Sequence, residues 1–131
     1  MNNLNDIIPD ELLEYNSLAK QLDTVSRAGH TIQFIRNPNE TVQLAAVREN
    51  GYALRYIFSK GIEPSIPVQR AAVLNNPVWA LNAMIYYNFP ISKMIQWTAA
   101  KQSKEFGQII DKDTLNHLDP DVQKYLKDDK S

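Results

Sequence analysis

The sequence predicts an all-α protein made of short two-helix repeats of about 26–27 residues, stacked as a small solenoid-like array behind an N-terminal flanking helix. The main observation is a phased series of glutamines that lie 26, 27 and 27 residues apart, at Gln43, Gln69, Gln96 and Gln123. Upstream of each glutamine lies a proline: Pro38, Pro64, Pro90 and Pro120. No stretch of useful length alternates apolar and polar residues as a half-buried strand would.

The clearest copy of the repeat covers residues 42–57. Its pattern predicts one helix, a tight turn at Asn50-Gly51 and a second short helix. Gly51 is expected to end the first helix, because glycine adopts the left-handed conformation at little cost. Ala45-Ala46 recurs as Ala71-Ala72 in the next copy, and side chains this small are expected to let neighbouring backbones approach closely.

Capping signals set the expected helix boundaries. Asn37-Pro38, Asn76-Pro77 and Asp119-Pro120 each have the form of an N-cap followed by a proline at the first helical position. We expect helices at 9–26, 30–35, 39–49, 51–60, 67–75, 77–88, 93–104, 105–111 and 120–127. The expected organisation is a single domain, 1–131, with a capping helix at 1–26, helical repeats at 27–111, and a degenerate C-terminal repeat with a charged tail at 112–131.

Composition and charge narrow the class of function. Fourteen Lys+Arg against fifteen Asp+Glu give a net charge of -1, so bulk charge favours neither nucleic-acid binding nor an acidic mimic of nucleic acid. The absence of cysteine excludes disulfides and thiolate metal sites. The N-terminus lacks the features of a signal peptide, and the most apolar window, 77–89, is too short to span a bilayer. These features favour a cytoplasmic protein without membrane contact.

No arrangement of residues typical of an enzyme stands out. His30 and His117 are the only histidines and have no partner ligand at helical spacing, so no metal site is predicted. The acidic groups at 10–14, 111–113 and 119–121 are better explained as helix caps than as general acid–base pairs. We therefore predict no catalytic residue, no metal and no cofactor. The phased glutamines are expected to hydrogen-bond the loop that precedes each helix.

One set of residues is a candidate partner surface. The second helices of the units place polar and aromatic side chains on the arc opposite the core, and a 27-residue offset puts Trp79 over Tyr52. The predicted partner-binding residues are His30, Gln33, Tyr52, Arg55, Tyr56, Trp79, Asn82 and Tyr86. Tryptophan, tyrosine and arginine dominate interface hot spots. The alternative is that Trp79 and Tyr86 are core residues, which the apolar character of helix 77–88 favours.

Two other functions stay open. Dispersed cations interleaved with Tyr52, Tyr56 and Trp97 are compatible with single-stranded nucleic acid, bound by charge and stacking. Those cations are Arg48, Arg55, Lys60, Arg70, Lys101 and Lys104. Because an exposed aromatic face also favours self-association, a homodimer or homo-oligomeric structural protein is the second alternative.

The run Pro-x-x-x-Val-Gln-Leu-Ala-Ala-Val-x-x-Asn-Gly-x-Ala-Leu-x-Tyr-Ile, over about residues 35–57, resembles a family of short helical repeats, a domain of unknown function found in bacterial, phage and large-virus proteins. The likeness continues to Val73 and fades beyond Asn76, where Pro77 replaces the glycine. It implies a helical interaction array in a bacterial or phage-infected cytoplasm and supplies no catalytic residues. We therefore expect a small non-enzymatic regulator or inhibitor, for example of a host defence complex.

Overall fold

A computed structural model describes residues 10–128 of the chain, with side chains described from Ser17 onward. Every regular element in that range is helical, which confirms the predicted all-α class. None of these helices is long and apolar enough to cross a membrane. The start of the predicted capping segment, residues 1–9, and the end of the predicted charged tail, residues 129–131, lie outside the described residues.

The helices begin and end within three residues of the predicted positions, with one exception. They are α1 (Asp10–Arg27), α2 (Glu40–Glu49), α3 (Leu54–Ser59), α4 (Ile66–Asn75), α5 (Pro77–Tyr86), α6 (Lys93–Glu105), α7 (Lys112–Leu115) and α8 (Pro120–Lys127). Two 3-10 segments accompany them: Gly29–Phe34 follows α1, and Gly51–Ala53 leads directly into α3.

The predicted helix at 105–111 is wrong. The chain leaves α6 through Gly107, whose φ of 67° is left-handed and ends the helix. The next helix, α7, starts only at Lys112, because the carboxylate of Asp111 caps it by accepting from the backbone N–H of Thr114.

Caps define the start of the first helix in each pair. Asn39, Ser65 and Ser92 each accept a hydrogen bond from the backbone N–H three residues later. The predicted cap at Asn37 is therefore wrong, and Pro38 precedes the cap instead of following it. The predicted cap at Asn76 is confirmed, since its side chain accepts from the N–H of Trp79 at 3.2 Å.

The phased glutamines form the predicted hydrogen bonds to the preceding loops. Each side-chain amide donates to the backbone carbonyl five residues earlier, in the loop before the helix. The accepting residues are Pro38, Pro64, Ile91 and Leu118, at 2.9, 2.9, 2.9 and 2.7 Å. The regular spacing of the glutamines reflects this shared role, since each one fixes the loop that leads into its own helix.

The helices lie in two rows. In the first row α1, α2, α4, α6 and α8 contact one another in that order. In the second row the segments 29–34 and 51–59, then α5 and α7, contact one another in turn. One apolar core joins the rows, and its members include Val42, Ala46, Leu54, Ile57, Val68, Ala72, Leu81, Met84 and Ile95, all fully buried.

Close approach, not a left-handed turn, explains Gly51. The glycines with positive φ in the described residues are Gly61 and Gly107, so the predicted left-handed conformation at Gly51 is wrong. A Cβ on Gly51 would lie 2.7 Å from the carbonyl oxygen of Ala72, and a Cβ on Gly29 would collide in the same way with Ala46. The second alanine of each pair therefore faces the glycine of the preceding unit.

Side chains in the last turns of α2, α4 and α6 reach back to the preceding unit; they are Glu49, Asn75 and Gln102. Asn75 makes two such bonds: its Oδ1 accepts from the N–H of Gly51 at 2.6 Å, and its Nδ2 donates to the carbonyl of Arg48 at 3.0 Å. Glu49 accepts a backbone N–H at 2.6 Å, and Gln102 donates to a carbonyl of α4 at 2.7 Å. These bonds have no counterpart among the predictions from the sequence.

Candidate interaction surface

Four side chains of the second row form a surface cluster, which we call the aromatic cluster: Tyr52, Arg55, Trp79 and Tyr86. Local capping positions its two central rings. The side chain of Asn50 accepts from the N–H of Tyr52 at 3.0 Å, and Asn76 does the same for Trp79. Both rings therefore leave the backbone at capped helix starts, where the cap fixes the local backbone conformation.

The rings and the guanidinium contact one another directly. Trp79 meets Tyr52 edge to face, with ring centroids 5.1 Å apart and planes at 80°. The Cζ of Arg55 lies 6.0 Å from the ring centroid of Tyr52 and 5.2 Å from that of Tyr86, within cation–π range. Its Nη1 also donates to the hydroxyl of Tyr52 at 3.3 Å. The charge interaction with Tyr52 raises the pKa of Arg55.

Exposure decides between the two interpretations of these aromatic residues. Trp79 is 49% exposed and Tyr86 is 69% exposed, so the alternative that they are core residues is wrong. They border a depression of about 120 Å³, whose lining also includes Tyr52, Arg55 and Asn82. Large aromatic rings held in contact with each other and open to solvent form the kind of patch that partners cover.

The other predicted partner-binding residues lie at the margin of the cluster or apart from it. Tyr56 is half-buried and packs edge-on against Tyr52, with centroids 5.8 Å apart. His30 and Gln33 are exposed on the 29–34 segment. Within the described residues neither stacks on the cluster or lines its depression. The amide of Gln33 turns back to the carbonyl of His30 at 3.1 Å.

Asn82 is half-buried and serves the fold as well as the depression. Its side-chain amide contacts the hydroxyl of Thr114, which also contacts the carboxylate of Asp111. The Oγ1 of Thr114 lies within hydrogen-bond distance of the Oδ1 of Asn82 and of the Oδ1 of Asp111, and its one proton is donated to one of these oxygens at a time. This network joins α5 to α7, and the hydrogen bond from Thr114 lowers the pKa of Asp111.

The cations proposed for nucleic acid do not share one surface. Arg48 and Arg70 line a groove on the first row of helices, whereas Arg55 belongs to the aromatic cluster on the second row. Lys101 borders a neighbouring first-row depression, and Lys104 lies 4.1 Å from the ring centroid of Tyr125. The cations are therefore divided between the two rows.

Two of the acidic side chains, Asp111 and Asp121, make structural interactions, whereas the side chain of Asp119 makes no cap hydrogen bond and those at 10–14 lie outside the described side chains. Asp121 pairs with Lys93 at 2.9 Å, and the hydrogen bond from Lys93 lowers the pKa of Asp121. Asp111 caps α7 as described above. Within residues 17–128 no three histidine, aspartate or glutamate side chains converge as a metal site would require.

Comparisons of the chain with protein-family models, with curated proteins and with solved structures found no match in any of the three. The resemblance to a helical-repeat family therefore stays a prediction from the residues that carry it.

Proposed function

We propose that this chain is a non-enzymatic protein-binding helical-repeat protein that holds its partner through the aromatic cluster. The observation that supports it most is the contact of Tyr52, Trp79 and Arg55 on an open surface, with Tyr86 beside them. Rings that already pack against each other lose little side-chain entropy when a partner covers them. Tyr56 and Asn82 lie at the edge of this site, and His30 and Gln33 extend it toward the N-terminal unit.

The proposed architecture is a small solenoid-like array of two-helix repeats. Two sets of recurring hydrogen bonds support it: the glutamine bonds at the entry of each first-row helix, and the bonds that Glu49, Asn75 and Gln102 make to the preceding unit. Repeats of this kind expose a continuous surface along each row, which suits them to binding other proteins.

The proposed biological role is a small regulator or inhibitor, bacterial or phage-encoded, that acts on a host protein such as a defence complex. It rests on the sequence resemblance and on the size of the chain. The resemblance implies the cytoplasm of a bacterium or of a phage-infected host as the setting.

Affinity capture with the tagged full chain from a bacterial host tests this function. We expect one stoichiometric protein partner, with affinity reduced about 30-fold or more by Trp79→Ala or Arg55→Ala when the purified partner is titrated. Phe106→Ala is the matched control, because Phe106 is 64% exposed and lies outside the cluster. Full binding by both cluster variants would overturn the proposed site, and recovery of nucleic acid without protein would overturn the proposed function.

A further inference from the structure

The first row of helices carries a second concave surface. This surface, which we call the first-row groove, is a cavity of about 610 Å³ between α2, α4 and the start of α6. It shares no lining residue with the depression at the aromatic cluster. Its walls are mainly aliphatic and include Leu44, Ile66, Ala71, Leu74 and Met94. Ile66 is 43% exposed and Met94 is 51% exposed, so the groove opens to solvent along its length.

The charged side chains that line the first-row groove are all positive. Arg48 and Arg70 line it, and Lys101 lines an adjoining depression that shares Met94 with it. Among residues 17–128 no acidic side chain lines either one. The ion pairs found in the described part of the chain lie elsewhere, at Asp23–Arg27 and Lys93–Asp121. The groove therefore carries unbalanced positive charge in a protein whose net charge is -1.

We propose that the first-row groove binds an acidic amphipathic helix from a protein partner. The apolar side of such a helix would cover Leu44, Ile66 and Met94, and its flanking carboxylates would face Arg48, Arg70 and Lys101. Neighbouring helix axes are about 8–10 Å apart. A groove that crosses α2, α4 and α6 is therefore about 20 Å long, which matches about 13 residues of helix. Opposite charges on the two surfaces favour this occupant and oppose a basic one.

The lining of the groove argues against single-stranded nucleic acid as its occupant. Bases bind single-strand sites by stacking on free aromatic faces, and the described residues that line the first-row groove include no aromatic one. Trp97 lines the adjoining depression, but it is half-buried and packs edge-on against Tyr125, with centroids 5.3 Å apart. Aliphatic side chains such as Ile66 and Met94 fit leucines of a helix better than bases.

Fluorescence anisotropy with the full chain tests the inference. The probe is a labelled synthetic peptide of about 16 residues, with leucines at helical spacing on one face and glutamates on both flanks. Two comparison probes are the same peptide with lysines in place of the glutamates and a labelled oligo-dT strand. We expect saturable binding of the acidic peptide that weakens with salt, and much weaker binding of the other two probes.

Charge reversal locates the binding site. Arg70→Glu is expected to reduce the affinity for the acidic peptide about tenfold. Met94→Ala is also expected to reduce this affinity, but to leave the melting temperature unchanged because Met94 is half exposed. Arg36→Glu makes the same charge change at an exposed arginine that lines neither depression and should leave the affinity nearly unchanged. If Arg70→Glu does not fold, Arg48→Gln serves in its place.

Four outcomes would overturn the inference. They are the absence of saturable acidic-peptide binding at low salt, equal binding by Arg70→Glu and Arg36→Glu, tighter binding of oligo-dT than of the acidic peptide, and a concentration-dependent dimer that Met94→Asp abolishes. The last would assign the groove to a second copy of the chain. Trp79→Ala is expected to bind the probe normally, so the groove and the proposed function at the aromatic cluster can fail separately.

Discussion

Asn75 accepts a hydrogen bond from the backbone N–H of Gly51 at 2.6 Å, although the two residues lie in different helix pairs. The amide of Asn75 also donates to the carbonyl of Arg48 at 3.0 Å. These bonds tie the end of α4 to the turn that carries Tyr52. One side chain therefore both joins two units and holds the backbone beneath the aromatic cluster.

Replacement of Asn75 tests this connection. Asn75→Ala removes both bonds, and we expect it to lower the free energy of unfolding by about 1–3 kcal/mol, measured by urea denaturation. Asn37→Ala is the control, because Asn37 is exposed and no side-chain hydrogen bond from it is seen within the described residues; it should change stability by less than about 0.5 kcal/mol. Equal denaturation midpoints for the two variants would contradict the prediction.

Gly51→Ala tests whether space or conformation selects the glycine. The added Cβ would lie 2.7 Å from the carbonyl of Ala72, so the helices must separate, at an expected cost of about 1–3 kcal/mol in thermal or urea unfolding. Gly107→Asn provides the contrast: Gly107 has positive φ and open space around its Cβ, and asparagine tolerates that conformation. A larger loss for Gly107→Asn than for Gly51→Ala would refute the role of close approach.

Gln96 is expected to contribute more to the free energy of unfolding than Gln123. Gln96 donates to the carbonyl of Ile91 at 2.9 Å and also accepts from the N–H of Asp119 at 2.7 Å, which joins α6 to the start of α8. Gln123 is half-buried, and its amide donates to one carbonyl, that of Leu118. Each unpaired buried backbone group costs about 1–3 kcal/mol.

We therefore expect Gln96→Met to lower the unfolding free energy by more than Gln123→Met, and to speed amide hydrogen exchange in α8. Equal exchange rates in α8 for the two variants would show that the bond to Asp119 does not hold the C-terminal helix.

Acid should weaken the junction between α5 and α7. The hydrogen bond from Thr114 lowers the pKa of Asp111 in the folded chain relative to about 3.9 when unfolded. Its stabilising effect is therefore present above about pH 4 and is lost as the pH falls through the folded pKa. We expect the melting-temperature gap between the wild type and Asp111→Ala to be constant from about pH 5 to 7 and to shrink below about pH 4. A gap that widens in acid would have the wrong sign.

Fluorescence should distinguish the two tryptophans. Trp79 is 49% exposed, whereas Trp97 is half-buried against Tyr125. We expect iodide to quench the emission of Trp97→Phe, which retains Trp79, more strongly than that of Trp79→Phe, which retains Trp97. Equal quenching would mean that Trp79 is covered in solution, either by another part of the chain or by a second copy. A dilution series would then distinguish those two cases.

Much of this structure follows from local and periodic signals. Cap residues such as Asn76 and the phased glutamines determine where helices begin, because they satisfy backbone groups that are close in sequence. The 27-residue offset between Tyr52 and Trp79 predicts that they lie side by side, and their rings are in contact.

Only the tertiary structure decided which helix faces are buried and which stay exposed to solvent. Helix 77–86 is apolar on most sides, so only the placement of its neighbours decides that Trp79 stays open while Leu81 and Met84 are fully buried. The first-row groove likewise depends on side chains from three helices, and no single stretch of sequence contains it. A helical pattern determines which residues share a face. Whether another element covers that face depends on how the whole chain packs, since burial is a property of all the neighbours together.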